Sequence, residues 1–378
     1  MTLLDSVRNI ILKNEKTNLN TNIPKIQASD SIVIFGAGSY GEDFAKNFHS
    51  LGFKILYFID NDSKKWGETI NDIPVISPQR LLEIYDEKIL VLICSTWHSE
   101  IKEQLISMGI NRSIVIDFVT YYQIHYKLRN YAQSFEEYFY EKLENFNKLH
   151  DLWFDNDSKQ TFEQLLAYRV TGNPSCLLNS PFSQYYHPVI LPKQGDIIID
   201  GGAFIGDTAK PFNDYLSSNC KIYSFEPSKN NFMRLHDTIK ENKLTNVIPI
   251  QAGLGIESNE LYMDTIEGSV NPGYTILDKG AEKVKVTTID EFVLENGLQS
   301  VDLIKLDIEG FELDALKGAY QSIRRFRPRL QICLYHKPED LIEIPLYLNE
   351  QFKDLGYKFY LGHHTDCFLE TVLYAACE

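Results

Sequence analysis

The chain has 378 residues, 44% of them hydrophobic and 24% charged, with a net charge of −15. That length points to two domains rather than one. The acidity argues against a sequence-independent nucleic-acid binder, which needs Lys and Arg on phosphates, and no apolar run reaches the length of a membrane span.

The first 30 residues start as a short amphipathic helix over 4–12, followed by an Asn/Thr-rich link. Charges at Asp5, Arg8, Lys13, Glu15 and Lys16 break up any apolar core, so no signal peptide and a cytoplasmic location are expected. The six cysteines are scattered without a CxxC pair, which argues against a cysteine zinc cluster. A strand over 31–35 runs into Gly36, Gly38 and Gly41, in GxGxxG spacing, and a helix pattern over 42–51 follows. A second strand, 54–59, ends at Asp60, 24 residues past Gly36. This is the dinucleotide fingerprint in strand–turn–helix context. Strands at 89–94 and 113–116 flank a helix at 100–108, so residues 1–117 read as a small doubly wound domain.

Residues 118–190 read as a helical connector, with amphipathic helices at 135–149 and 158–170. Gln184-Tyr185-Tyr186-His187 comes just before the next strand and reads either as a flap or as a turn packing aromatics. A second α/β domain then spans 191–378. Its first strand, 197–199, ends in Asp200 and the small-residue bend Gly201, Gly202, Ala203 and Gly206, with a helix from Asp207 and Thr208. Such a bend lets the backbone approach a ligand at a helix N-terminus. The second strand, 221–225, ends at Glu226-Pro227, 26 residues past Asp200, where an acid can accept ribose hydroxyls. Strand 247–252 leads to Gly253. Residues 261–286 read as a long irregular insertion contributing to an acceptor pocket. Strand 301–307 ends at Asp307, and Glu309-Gly310 opens a helix to 323. Strand 329–335 delivers His336; a helix at 341–355 and strands at 358–361 and 368–375 follow. The last link is short, which suits antiparallel pairing.

The motifs DGGAFIGDT, YSFEPS, VTTIDEF and VDLIKLDIEGFELDALKGA stand in that order within this half. Over residues 165–378 the chain resembles the FkbM family of S-adenosylmethionine (SAM)-dependent methyltransferases. The resemblance implies a class I, Rossmann-like methyltransferase domain: a seven-stranded sheet with its last strand antiparallel. It also implies SAM binding by Asp200, Gly201, Gly202, Ala203, Phe204, Gly206, Asp207, Thr208, Glu226, Pro227, Ala252, Gly253 and Asp307. The first domain resembles nucleotide-binding modules found beside nucleotide-sugar-modifying enzymes, through FGAGSYGEDF, YFIDND and IPVISPQRL. Gly36, Gly38, Gly41 and Asp60 are then either an NAD or nucleotide site, or a turn in a docking module.

Methyl transfer needs an acceptor oxygen held in line with the methyl group and a group to take up its proton. Asp307, Glu309 and His336 are the catalytic candidates, with His336 expected as a neutral general base. Helix capping is the plain alternative for Glu309. Asp307, Glu309, His336 and Asp340 could offer ligands to Mg²⁺, but they form no compact local motif, so no metal is assigned. The expected activity is SAM-dependent O-methylation of a sugar hydroxyl in a nucleotide sugar or glycan intermediate. The rivals are an NAD-dependent nucleotide-sugar enzyme centred on the first domain and a non-catalytic SAM-binding scaffold. The partner is a small-molecule or glycan acceptor, without nucleic acid or membrane insertion; self-association stays open.

Overall fold

The computed structural model describes residues 2–15, 31–38, 40–42, 44–45, 54–86, 88–95, 97–116, 135–171, 174–263, 276–277, 282–337, 339–365 and 369–377. Much of the expected connector, the far end of the helix expected over 42–51, and the glycines of the insertion at 268, 273 and 280 lie outside them. Contacts group the chain into two units. One comprises Leu4–Lys142 and Leu165–Leu177; the other comprises Met1–Leu3, Leu143–Gln164 and Leu178–Glu378. Part of the span read as a connector thus folds with the C-terminal unit.

The opening helix is α1 (Leu3–Glu15). In the N-terminal unit, β1 (Ser31–Phe35), β2 (Ile55–Ile59), β3 (Thr69–Ile70), β4 (Ile73–Ile76), β5 (Ile89–Ile93) and β6 (Ser113–Val115) form one sheet. Its order is β3-β4-β2-β1-β5-β6, parallel except for the β3–β4 pair. Ile32, Ile34, Leu90 and Leu92 pack into one apolar layer, and Val33, Phe35, Val91 and Ile93 into the other. Because both faces are covered, the strands read as continuous apolar runs. Helices α2 (Pro78–Ile84) and α3 (His98–Ser107) belong to the crossovers.

The span expected as one helix over 135–149 is α4 (Phe135–Glu141) and α5 (Leu143–Leu152), followed by α6 (Asn156–Thr171). In the C-terminal unit Trp153 makes a parallel bridge to Phe359 and packs on Phe162, which also meets Phe146. These aromatics are core rather than a cofactor box.

The main sheet of this unit uses β7 (Ile197–Gly201), β8 (Lys221–Phe225) and β9 (Val247–Ile250). The stretch after β9, including the span expected as an insertion, adds β10 (Gly253–Leu254), β11 (Asn259–Met263), β12 (Ile276–Leu277) and β13 (Glu282–Thr287). The main sheet resumes with β14 (Leu303–Leu306), β15 (Arg329–Cys333), β16 (Tyr357–His363) and β17 (Thr371–Cys377). Its order is β16-β17-β15-β14-β7-β8-β9, with β17 antiparallel to both neighbours and the others sharing one direction. The order reverses between β7 and β14, the switch point where open α/β sheets bind ligands. The covering helices include α7 (Ala209–Tyr215), α8 (Lys229–Glu241), α9 (Ile289–Glu295), α10 (Glu312–Lys317), α11 (Tyr320–Phe326) and α12 (Asp340–Phe352).

Two expectations change. The insertion is not irregular throughout: β11 pairs antiparallel with β12 and β13, and β13 pairs with β10, making a small second sheet. The helix expected over 310–323 is broken in two at Gly318, where a Cβ would sit 2.1 Å from the Gly255 carbonyl oxygen. No helix of the described residues is long and apolar enough to cross a membrane.

Candidate active site

At the switch point, β7 and β14 are paired so that Gly201 lies opposite Leu306. This sets the glycine bend directly against Asp307. Gly202 has φ +74°, and a Cβ there would sit 1.7 Å from the Asp307 carbonyl oxygen, so only glycine fits. Asp200 is fully buried; Ser224 Oγ donates to its Oδ2 at 3.1 Å. Lys305, on β14 and 1% exposed, donates to the carbonyls of Gly201 (3.1 Å) and Gly202 (2.9 Å). Its Nζ also lies 3.2 Å from Asp200 Oδ1, an ion-pair contact without hydrogen-bond alignment. Burial disfavours the ammonium, but Asp200, Asp307 and Asp207 outweigh it, and Lys305 stays charged. One buried cation thus staples the bend to the neighbouring strand. Sequence reasoning passed over it, although a lysine inside the apolar run VDLIKLD was its signal.

Glu226 closes the other side. Its Oε2 accepts from the Phe204 N–H at 3.0 Å, and its Oε1 accepts from the Ser228 N–H at 2.9 Å and Asn231 Nδ2 at 3.3 Å. Burial pushes this carboxyl up to about 7. It is therefore no solvated strand end: it sits beside the bend and keeps acceptor capacity on Oε2. Of the other expected cofactor contacts, Gly206 (φ +90°) and Phe204 (φ +46°) shape the bend. Ala203 and Thr208 are buried, Asp207 is exposed, and Pro227 continues from Glu226. The strand expected over 247–252 stops at Ile250; Ala252 follows it, and Gly253 pairs with Val286 in the second sheet.

Beyond β14 the acidic groups gather. Asp307 receives Tyr185 OH on Oδ2 and Tyr335 OH on Oδ1, each at 2.8 Å. Burial opposes its charge, but Lys305, His336 and the two hydroxyls prevail and hold the carboxyl below the usual range. His336 follows β15 as expected. Its Nδ1 is 2.8 Å from Glu312 Oε1, and its Nε2 is 3.3 Å from Asp307 Oδ1 and 3.6 Å from Glu309 Oε1. Glu312, wholly buried, also accepts from the Ile308 N–H at 2.7 Å. Burial would favour neutral imidazole, but the three carboxylates outweigh it and raise His336 well above its ordinary value. The surrounding carboxylates favour the imidazolium over the neutral base expected. Glu312 was missed because, in sequence, an acid in a first helical turn reads as a cap. Asp340 stands next to the cluster: its Oδ2 accepts from the Lys337 N–H at 2.9 Å, and burial with the Glu312 charge pushes its carboxyl up to about 7.

Residues 200–359 match the family model described as the methyltransferase FkbM domain. They are an FkbM methyltransferase domain. A 132-residue stretch is 26% identical to a protein named hexuronic acid methyltransferase AglP from Haloferax volcanii, covering 35% of this chain and 53% of that protein. The chain thus spans about half the length of that relative. The crystal structure of methyltransferase FkbM from Methylobacillus flagellatus KT is 20% identical and covers 99% of each chain, with a TM-score of 0.72. That likeness shows a shared fold. Residues 28–116 match a second model, C2185-like, N-terminal.

The turn 184–187 packs on the FkbM sheet and also reaches its site. Gln331 Nε2, on β15, donates to the Tyr185 carbonyl at 2.8 Å, while Tyr186 packs edge-on to Phe212 and Tyr215. The Tyr185 hydroxyl is the part that meets Asp307. In the N-terminal unit, Gly41 is required because a Cβ would sit 1.9 Å from the Gly36 carbonyl oxygen, whereas a Cβ at Gly38 would meet open space. Asp60 Oδ2 accepts from the Ala37 N–H and pairs with Lys65 Nζ, both at 2.9 Å, and Oδ1 accepts from the Asp62 N–H at 2.8 Å. Both units therefore tie a strand-end acid to a glycine bend. In the N-terminal one a lysine already balances the acid's charge.

Proposed function

We propose that the FkbM domain moves a methyl group from SAM to a hydroxyl of a sugar, with a hexuronate-bearing glycan or nucleotide sugar as the favoured acceptor class. The acceptor class follows the relative named a hexuronic acid methyltransferase. The observation that carries the reading is Glu226, a buried carboxylate held at the glycine bend by the Phe204 N–H with acceptor capacity to spare. That is the chemistry a ribose diol requires.

SAM supplies an electrophilic methyl group on a sulfonium. Glu226 would hold the ribose hydroxyls, and the bend from Gly201 to Gly206 is packed against β14 so closely that a Cβ at Gly202 would strike the Asp307 carbonyl. Lys305 keeps that bend rigid, so little reorganisation is needed at the moment of transfer. The acceptor's proton would pass to Glu309, partly exposed beside His336, while Asp307 stays ionised under the Tyr185 and Tyr335 hydroxyls. The test is transfer of radiolabelled methyl from SAM to free and nucleotide-linked hexuronates and neutral hexoses. Label on a hexuronate supports the reading. SAM binding without label on any sugar favours the scaffold alternative.

A further inference from the structure

The ends of β14 and β15 bring together more negative charge than their cations balance. One ligand atom each from Asp307, Glu312 and His336 lies within 4.8 Å of the other two, and Glu309 Oε1 stands 3.6 Å from His336 Nε2. Three carboxylates thus face one imidazole; Lys305 lowers the Asp307 carboxyl through space but gives its hydrogen bonds to the glycine bend, and Lys337 Nζ donates to the Gly310 carbonyl. Glu312 has no exposed surface, and its second oxygen, Oε2, has no hydrogen-bond partner among the described residues. A buried carboxylate oxygen without a donor is costly, and an ion pair with a single imidazole leaves it so.

We propose that Asp307, Glu312 and His336 form a binding site for one divalent cation at the edge of the cofactor cradle, with Glu309 at its margin. A nitrogen with carboxylate oxygens suits Mn²⁺ or Zn²⁺, since imidazole adds little for Ca²⁺. The metal takes the place of the imidazolium proton, as ligand histidines must be neutral. A cation there gives the wholly buried Glu312 carboxylate a stronger counter-charge than an imidazole. The site stands on these side chains alone; its use rests on the methyl-transfer reading. There, the cation would hold the acceptor hydroxyl and acidify it, with the marginal Glu309 taking up the proton, and would offset the repulsion between an anionic hexuronate and the three carboxylates.

The test is calorimetric titration of Mn²⁺ into the full chain after treatment with a chelator, with SAM titrated into the same samples. One Mn²⁺ per chain is expected. Glu312→Gln and His336→Ala should each weaken Mn²⁺ binding at least about tenfold while SAM affinity changes little. Glu309→Gln, on a partly exposed side chain that puts the fold at little risk, should weaken it severalfold. Absence of Mn²⁺ and Zn²⁺ binding by the wild type would overturn the proposal. So would Mn²⁺ binding that all three variants leave unchanged, and the cluster would then be an imidazolium–carboxylate network. SAM binding without Mn²⁺ sinks the metal site and spares the cofactor reading; Mn²⁺ binding without SAM does the reverse.

Discussion

Glu226 and Lys305 show how single buried charges serve this site. Burial raises the Glu226 carboxyl from 4.5 to about 7. The folded state therefore binds a proton that the unfolded chain has released between those values, and this group's contribution to stability falls as pH rises across that window. A ribose diol donates to the ionised form, so SAM affinity should rise as pH passes through about 7. In Glu226→Gln the profile should be flat and the affinity at least roughly tenfold lower, since charge-assisted bonds are worth about 1.5–3 kcal/mol each. Calorimetry from pH 6 to 8 measures both, and an unchanged affinity in the variant would remove Glu226 from the cofactor site. Lys305→Met leaves Asp200 buried without its counter-charge, which typically costs about 3–5 kcal/mol. Urea unfolding should show that loss, and pairing the change with Asp200→Asn should recover part of it.

At the scale of elements, the strand–bend–helix unit occurs twice with different outcomes. In the FkbM domain the bend is wedged against β14, so Gly202→Ala forces a Cβ into the Asp307 carbonyl. A loss of at least about 3 kcal/mol is expected, the range of backbone clashes that cannot relax locally. A variant melting within a degree of the wild type would contradict the packing described. In the N-terminal unit the matching acid is neutralised: Lys65 and two backbone N–H groups hold Asp60 below the usual carboxylate range despite its burial. Thermal-shift assays with NAD, NADP and UDP-sugars should therefore leave the wild type unmoved. A shift with any of them that Gly41→Val abolishes would assign this unit a nucleotide instead.

At the scale of the whole molecule, the C-terminal unit joins its terminal strands to the 182–187 turn through an aromatic and histidine cluster. His187 stacks on Tyr374, tilts against Tyr360 and meets Phe182 edge-on. Burial lowers it from 6.5 to about 4. A base with a depressed value binds fewer protons folded than unfolded between those limits, so its contribution is lost as pH falls from 6.5 toward 4. His187→Phe removes that loss. Relative to the wild type, the variant should gain about 1.4 kcal/mol per pH unit as pH falls through the window. Parallel urea titrations at pH 7 and 5 give the difference, and equal offsets at both would mean His187 is not a buried neutral imidazole.

Sequence by itself determined the local features: the α/β alternation, the two glycine bends, the acids ending the second strand of each unit, and the arrival of His336 after β15. Each follows from apolar periodicity, backbone freedom at glycine, or the position of a polar residue next to a buried strand, all within a few neighbours. The tertiary structure decided the rest, because pairing and charge act through space. It placed β17 between β15 and β16. It made a second sheet of strands read as an irregular insertion, since β10 and β13 are far apart in the chain. It also turned Lys305 from an anomaly in an apolar strand into the staple of the bend. Glu312, which the sequence reading passed over inside a helix, became the partner of an imidazole 24 residues away. The charge on His336 is set by three carboxylates that only the pairing of β14 with β15 brings to its ring.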